Sequence, residues 1–172
     1  MLRAAYGKDI RIGMKTLSEN LIHFFHKQTF TIISTIDKKG FPHNSCKGIV
    51  KINKSGQIYL LDLYKAQTFE NLKRNPHIAI TAVDEHKFRG FCLKGTAKII
   101  RGDRLSSHII TAWEKRITHR ITQRVLKNIA GEKGHPQHPE VLLPKPEYMI
   151  VMQAEEVIDL TPQHLKHTEV QR

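Results

Sequence analysis

Apolar and polar residues alternate with a period of two along much of the chain between residues 30 and 101. Such alternation is typical of strands that bury one face, because successive side chains of a strand point to opposite sides. The clearest example is the stretch 88–101, whose apolar positions on one side are Phe91, Leu93, Ala97 and Ile99. The pattern and its turn residues predict strands over 30–36, 41–53, 57–63, 77–83, 88–101 and 147–160.

The connections between the first predicted strands are short. Asp37-Lys38-Lys39-Gly40 and Asn53-Lys54-Ser55-Gly56 are turn sequences in which glycine supplies a positive φ. Strands joined by such tight turns pair in antiparallel fashion. We therefore predict a mainly β (α+β) fold, a six-stranded antiparallel barrel with peripheral helices.

Three helices are predicted beside the strands. The first begins at Thr16, where Thr16-Leu17-Ser18-Glu19 fits a capping box. The second spans 66–74 with Thr68 as its cap, and Asn75-Pro76 ends it because the residue before proline disfavours the helical region. The third spans 103–130 and carries an apolar stripe flanked by Lys and Arg.

The length of 172 residues fits a single domain. We expect one domain over residues 1–172, with its core in 28–101 and 147–160. The segment 103–130 is then a helical insertion, and 161–172 a loose, polar C-terminal tail.

Charge is the unusual part of the composition. Lys and Arg number 28 against 16 acidic residues, which gives a formal net charge of +12. Such a surface attracts phosphorylated ligands, nucleic acid or anionic lipid. No apolar run is long enough to span a membrane or to serve as a signal peptide, so a cytoplasmic protein is expected. In that compartment Cys46 and Cys92 are expected to be thiols rather than a disulfide.

Four short sequence features follow one another in the strand region. They are Thr35-Ile36-Asp37-Lys38-Lys39-Gly40-Phe41-Pro42, then Ser45-Cys46-Lys47, then Asn71-Leu72-Lys73-Arg74-Asn75-Pro76, and finally Gly95. In this order they resemble the flavin-binding split-barrel family that includes pyridoxamine 5′-phosphate oxidase. The resemblance implies a split β-barrel that forms a homodimer, with FMN bound between the subunits.

The resemblance also implies the cofactor-binding positions. The second strand would lie along the flavin ring, with the residues Asn44, Ser45, Cys46 and Lys47. The ribityl chain and phosphate would be held by Leu61, Asp62, Lys65, Gln67, Thr68 and Asn71. The partner subunit would add contacts around Arg89 and Gly90.

General chemistry agrees with a phosphate near the second helix. Free N–H groups at a helix N-terminus favour anions, Lys65 precedes that helix, and Thr68 carries a hydroxyl. Many relatives have a basic residue where this chain has Gln67-Thr68, so Lys65 or Lys47 is the expected substitute.

The expected activity is that of a flavin-dependent oxidoreductase acting on a small molecule. The Arg and His cluster that binds pyridoxal phosphate in the true oxidase is not evident in 147–172, so the vitamin B6 reaction is not expected. No residue is identified as a catalytic acid or base.

Other readings stay open. Relatives of the fold bind deazaflavin or haem in place of FMN. A nucleic-acid-binding barrel would use the basic side of the 103–130 helix, but Tyr59, Tyr64, Phe88 and Phe91 form no paired stacking platform. Nucleic acid is therefore not expected as a partner.

Trp113 and three pairs of histidines are further candidates for a functional role, and each is assigned a structural one. Trp113 is expected in the core or at a dimer contact, with stacking on the flavin as the alternative. Three histidine pairs have metal-compatible spacing, but the first has no apparent third ligand and the other two fall in loop-like, polar segments, so no metal site is predicted. These pairs are His23 and His26, His135 and His138, and His164 and His167.

Overall fold

The computed structural model describes residues 16–132 and 143–166. Within them, seven strands form one antiparallel sheet. The strands are β1 (Thr31–Ile36), β2 (Pro42–Lys47), β3 (Ile49–Ile52), β4 (Gln57–Asp62), β5 (His77–Asp84), β6 (Arg89–Arg101) and β7 (Tyr148–Asp159). The helices are α1 (Glu19–Lys27), α2 (Gln67–Arg74), α3 (Ser107–Ile129) and the short α4 (Gln163–Lys166).

The order of the strands shows how the sheet curls. It runs β2-β1-β5-β6-β7-β4-β3, so the two edge strands follow each other in the chain with only Gly48 between them. A flat sheet cannot place its opposite edges one residue apart, and the sheet therefore bends round into a half-barrel. The predicted fold class, antiparallel and mainly β with peripheral helices, is confirmed.

The predicted number of six strands is wrong by one. The strand predicted over 41–53 is divided at Gly48 into β2, which pairs with β1, and β3, which pairs with β4. One continuous strand would have to pair with strands at both ends of the sheet. The bend at Gly48 lets β2 pair with β1 while β3 pairs with β4. The alternation of apolar and polar residues does not reveal such a bend, because the chain is extended on both sides of it.

Two predicted helix caps are also corrected. Ser18, not Thr16, caps α1, and its side chain accepts a hydrogen bond from the Leu21 N–H. The N-cap of α2 is Ala66, which has no capping side chain. Thr68 lies inside the first turn of α2 and is buried, so its hydroxyl serves a contact other than a cap.

The core has two parts. The larger part fills the inside of the half-barrel, with Phe25 of α1, Ile33 of β1 and Tyr148 of β7 among its members. The smaller part joins α3 to the outside of β3, β4 and β7 around Ile109, and the half-buried Trp113 packs against it. α3 thereby covers one outer face of the sheet near the point where β2 becomes β3.

Neither cysteine forms a disulfide. Cys46 is an exposed thiol and Cys92 a half-buried one. No helix in the part of the chain that the structure describes is long and apolar enough to cross a membrane.

Candidate cofactor site

A cleft of about 300 Å³ lies where β2 turns into β3, beside the end of β4 and beneath α3. We call it the cofactor cleft. The described residues that line it are Phe30, Cys46, Lys47, Gly48, Val50, Leu61, Asp62, Leu63, Tyr64, Trp113, Arg116, Ile117, Arg120 and Leu143. Four predicted site residues, Cys46, Lys47, Leu61 and Asp62, are thus brought together.

The predicted segment on β2 presents two different faces. Residues opposite each other in the β1–β2 register share a face, and Ser45 stands opposite the buried Ile33, whereas Cys46 stands opposite the exposed Ile32. Ser45 and Lys47 therefore point to the inside, and Asn44 and Cys46 to the outside. A flat ligand along β2 would meet the backbone of all four residues but the side chains of only some.

The carboxylate of Asp62 organises the floor of the cleft. The Lys47 Nζ lies 2.5 Å from the Asp62 Oδ2, and both side chains are about nine-tenths buried. The Tyr148 hydroxyl donates to the same oxygen, and the Leu63 N–H donates to Oδ1 at 3.0 Å. The positive charge of Lys47 is thereby balanced by the buried carboxylate of Asp62.

Tyr148 belongs to this cluster although no sequence pattern pointed to it. Burial, and then the hydrogen bond and charge of Asp62, raise the pKa of the Tyr148 hydroxyl above its ordinary value. The hydroxyl therefore stays protonated and remains a hydrogen-bond donor to the carboxylate. Tyr148 and Asp62 stand directly opposite each other on β7 and β4, a pairing of distant segments that only the fold reveals.

The loop before α2 carries the predicted phosphate contacts. Lys65 is half exposed, with its Nζ 3.8 Å from a carboxylate oxygen of Glu147. The Thr68 and Ser45 hydroxyl oxygens lie 3.1 Å apart, which links α2 to β2. A ligand near the start of α2 would find the Lys65 ammonium accessible, whereas the Thr68 hydroxyl already has a partner.

Asn71 connects α2 to the sheet and is fully buried. Its Nδ2 donates to the Thr35 Oγ1 at 3.0 Å, and its Oδ1 accepts from the Gln67 Nε2 at 2.7 Å and from Arg74 at 3.3 Å. The Asn71 amide therefore has hydrogen-bond partners within the protein, and so does the Gln67 Nε2. Through these contacts the Asn-Leu-x-x-Asn-Pro signature anchors α2 on β1.

Arg89 and Gly90 lie at the start of β6, and they do not line the cofactor cleft of their own chain. The Arg89 guanidinium lies 5.7 Å from the centre of the Phe91 ring. Gly90 is buried where the Ala82 carbonyl oxygen would lie 3.3 Å from an added Cβ. Their predicted role depends on a second subunit and stays a prediction.

α3 contributes residues that the sequence did not place in the site. The Arg116 guanidinium donates to the Gln28 carbonyl at 3.3 Å. That of Arg120 donates to the Thr29 carbonyl at 3.1 Å and lies 4.0 Å from the centre of the Phe30 ring. Lys and Arg on several sides of the 103–130 helix were a visible signal, but the pattern alone did not show which side faces the barrel.

Comparisons with known proteins agree with this architecture. Residues 17–165 match the family described as pyridoxamine 5′-phosphate oxidase. No curated protein sequence gives a match.

Several solved structures are similar. A pyridoxamine 5′-phosphate oxidase-like protein of Lactobacillus delbrueckii has a TM-score of 0.56 at 18% identity, over 86% of this chain and 97% of its own. HupZ of Group A Streptococcus has a TM-score of 0.58 at 18% identity, over 84% and 94%. A protein named F420 reductase has a TM-score of 0.51 at 14% identity, over 83% and 98%.

The family match and the strand order rest on different observations, since one reads residues and the other reads their arrangement. The matched segment runs from the residue before the α1 cap into α4, and so contains all seven strands and the helices α1 to α3. The chain therefore belongs to the pyridoxamine 5′-phosphate oxidase-like family of split-barrel proteins.

Proposed function

We propose that this chain is a flavoprotein that binds FMN in the cofactor cleft and acts as a flavin-dependent oxidoreductase on a small molecule. The observation that carries the proposal is the cleft itself, where an accessible strand, an apolar wall and two guanidinium groups meet. When bound, FMN would supply the electron or hydride transfer, and the protein would orient it and set its electrostatic surroundings.

The lining suits a flat, partly apolar ligand with an anionic end. Val50, Leu61 and Trp113 offer apolar surface, as ligand sites usually do. Arg116 and Arg120, which follow Trp113 on α3, add two guanidinium groups to the lining, and such groups suit oxygen anions. The Asp62 carboxylate does not repel a phosphate as strongly as an isolated charge would, because Lys47 neutralises it.

Of the alternative cofactors, deazaflavin fits the same description because it shares the flat ring system and an anionic tail. Haem receives less support, because none of the described residues lining the cleft is a histidine. We therefore retain FMN as the proposed cofactor.

Replacement of the half-exposed Lys65 before α2 and the buried Thr68 within it tests whether these two predicted residues hold the phosphate. We expect Lys65→Ala combined with Thr68→Val to weaken FMN binding about tenfold or more, because hydrogen bonds to a charged group contribute about 1.5–3 kcal/mol each. Quenching of flavin fluorescence during titration with protein measures the affinity.

The matched control is Lys98→Ala combined with Thr122→Val, which changes the same residue types away from the cleft. It should leave the affinity unaltered. Unaltered affinity in the Lys65 and Thr68 variant would remove those two residues from the site, whereas a wild-type protein that retains no flavin would refute the proposed function itself.

We further propose that the protein is a homodimer. The outer face of β1 and its neighbours carries Ile32, Cys46 and Thr81 side by side in the register, and Ile32 is 44% exposed. Exposed apolar side chains on a sheet face favour burial against another surface. A second copy there would bring a partner close to β2, where the family resemblance expects contacts from Arg89 and Gly90.

A charge on this face should separate the subunits. We expect Ile32→Asp to shift the mass in sedimentation equilibrium from twice the chain mass of 19.9 kDa to a single chain. Ile129→Asp is the control, since Ile129 is 78% exposed at the end of α3, far along the chain from the sheet face. A wild-type monomer, or an Ile32→Asp dimer, would contradict the proposed interface.

A further inference from the structure

A second depression, larger than the cofactor cleft, lies between the end of α1 and one side of α3. Its volume is about 690 Å³. It is lined by the cationic residues Lys27, Lys115, Arg116, Arg120, Arg124 and Lys127. His26 and His119 also line it, and none of its described lining residues is Asp or Glu. We call this surface the basic groove.

The cations of the basic groove crowd one another. Burial, and then the charge of Arg120, lower the pKa of the Arg116 guanidinium. Burial, followed by Arg116 and His23, lowers the pKa of His26. Both shifts describe surroundings that already disfavour positive charge, and an anion placed there would relieve the repulsion.

A purely structural role explains part of this charge. Arg116 and Arg120 donate to the carbonyls of Gln28 and Thr29 and so hold the segment that follows α1. These contacts do not account for Lys115, which is exposed on the same side of α3, or for Lys27 on the facing wall. Lys127 does have an acidic neighbour, Glu132, at 3.3 Å between exposed side chains.

The dimensions of the groove indicate the kind of anion. Its volume lies within the range of small-molecule sites, about 300–1,000 Å³. From Lys115 to Lys127 the charges extend along about 18 Å of helix, at 1.5 Å per residue. A single phosphate would contact only a fraction of them, whereas linked phosphates would contact several, and arginine suits phosphate by donating two parallel hydrogen bonds.

Single-stranded nucleic acid fits the groove less well. Such sites combine cations with a series of aromatic side chains on which bases stack. Phe30 is the one aromatic residue among the described lining, and the Arg120 guanidinium lies over its ring. The groove thus offers charge without a stacking platform.

We propose that the basic groove is a binding site for a small molecule that carries two or more linked phosphate groups. Arg116, Arg120 and Phe30 line both the groove and the cofactor cleft, so the two sites are neighbours. The proposal rests on the groove alone and does not require that the cleft bind FMN.

Titration calorimetry of the full chain with tripolyphosphate tests the proposal. The salt concentration should be 0.15 M or more, where the Debye length of about 8 Å suppresses long-range attraction. We expect saturable binding with a Kd at least tenfold below that for orthophosphate. Lys27→Gln combined with Lys115→Gln, one residue from each wall, should raise the Kd about fivefold or more.

The control is Lys38→Gln combined with Lys98→Gln, which removes the same net charge from exposed positions outside the groove. It should change the Kd less than twofold, and the unfolding temperatures of both variants should match that of the wild type. Absence of saturable binding, or an equal loss in the control, would overturn the proposal.

Titration with a ten-nucleotide oligothymidylate tests whether the basic groove binds single-stranded nucleic acid instead. Binding more than tenfold tighter than that of tripolyphosphate, weakened by the same groove variant, would replace the proposed ligand by single-stranded nucleic acid. Weaker or equal binding supports the small oligophosphate. Flavin titration of the same samples reports separately on the cofactor cleft, so failure of one site is not mistaken for failure of the other.

Discussion

Replacing Lys47 with methionine is expected to lower the free energy of unfolding by about 3 kcal/mol or more. Asp62 is 9% exposed, and the Lys47 ammonium at 2.5 Å is its cationic partner in the cofactor cleft. Removing one member of a buried ion pair leaves the other charge buried without compensation. Tyr148 and the Leu63 N–H would still donate to Asp62, but neither carries a positive charge.

The chain offers a matched control for this substitution. The Lys54 ammonium lies the same 2.5 Å from the Glu19 carboxylate, but the two side chains are 68% and 80% exposed. Exposed pairs contribute about 0–1 kcal/mol because water screens them. Urea denaturation of Lys47→Met and Lys54→Met therefore compares a buried with an exposed ion pair at the same distance between the charged atoms. Equally small losses of unfolding free energy in the two variants would refute the interpretation of the Asp62 cluster.

The pH dependence provides an independent readout of the same cluster. The pKa of Tyr148 is raised above its ordinary value of 10.0 in the folded protein. The unfolded chain then loses this proton more readily than the folded chain, so the stability that the protonated hydroxyl contributes is lost as the pH rises above about 10. Tyr148→Phe should show a smaller loss between pH 9 and pH 11 than the wild type.

How far the sequence predicts this fold depends on how local each feature is. The alternation over 88–101 predicted β6 within one residue at its start, because burial of one face leaves a mark in neighbouring residues. The division at Gly48 left no such mark, since it arises from β2 and β3 pairing with strands at opposite ends of the sheet. Register between distant strands is not encoded in local periodicity.

The site shows the same limit. The family resemblance placed Lys47 and Asp62 near one cofactor, and the structure brings both into one cleft. It did not predict that they form an ion pair, or that Tyr148 donates to the same oxygen, because these residues come from three different strands. Arg116 was visible only as one of several cations on a helix, and the packing of that helix decides which cations face the cleft.

Among the glycines that the structure describes, Gly95 is expected to be the least tolerant of a side chain. An alanine Cβ there would lie 1.9 Å from the Gln153 carbonyl oxygen and 3.1 Å from the Ala154 Cα. The register of β6 and β7 is irregular at this point, since Lys94 pairs with Glu156 and Gly95 with Ala154. We expect Gly95→Ala to destabilise the protein by about 3 kcal/mol or more, at the upper end for overpacking, because backbone rather than a side chain must move.

Gly40→Ala separates this steric effect from the loss of glycine's conformational freedom. Gly40 has a φ of +86° and nothing within 4 Å of an added Cβ, so its replacement should cost only about 1–2 kcal/mol for a left-handed backbone. Urea denaturation of both variants tests the difference, and equal midpoints would contradict it.

Because β7 begins at Tyr148, a displacement of β7 against β6 would also disturb the hydrogen bond to Asp62. Gly95→Ala is therefore expected to weaken FMN binding even at temperatures where the protein remains folded, whereas Gly40→Ala is not.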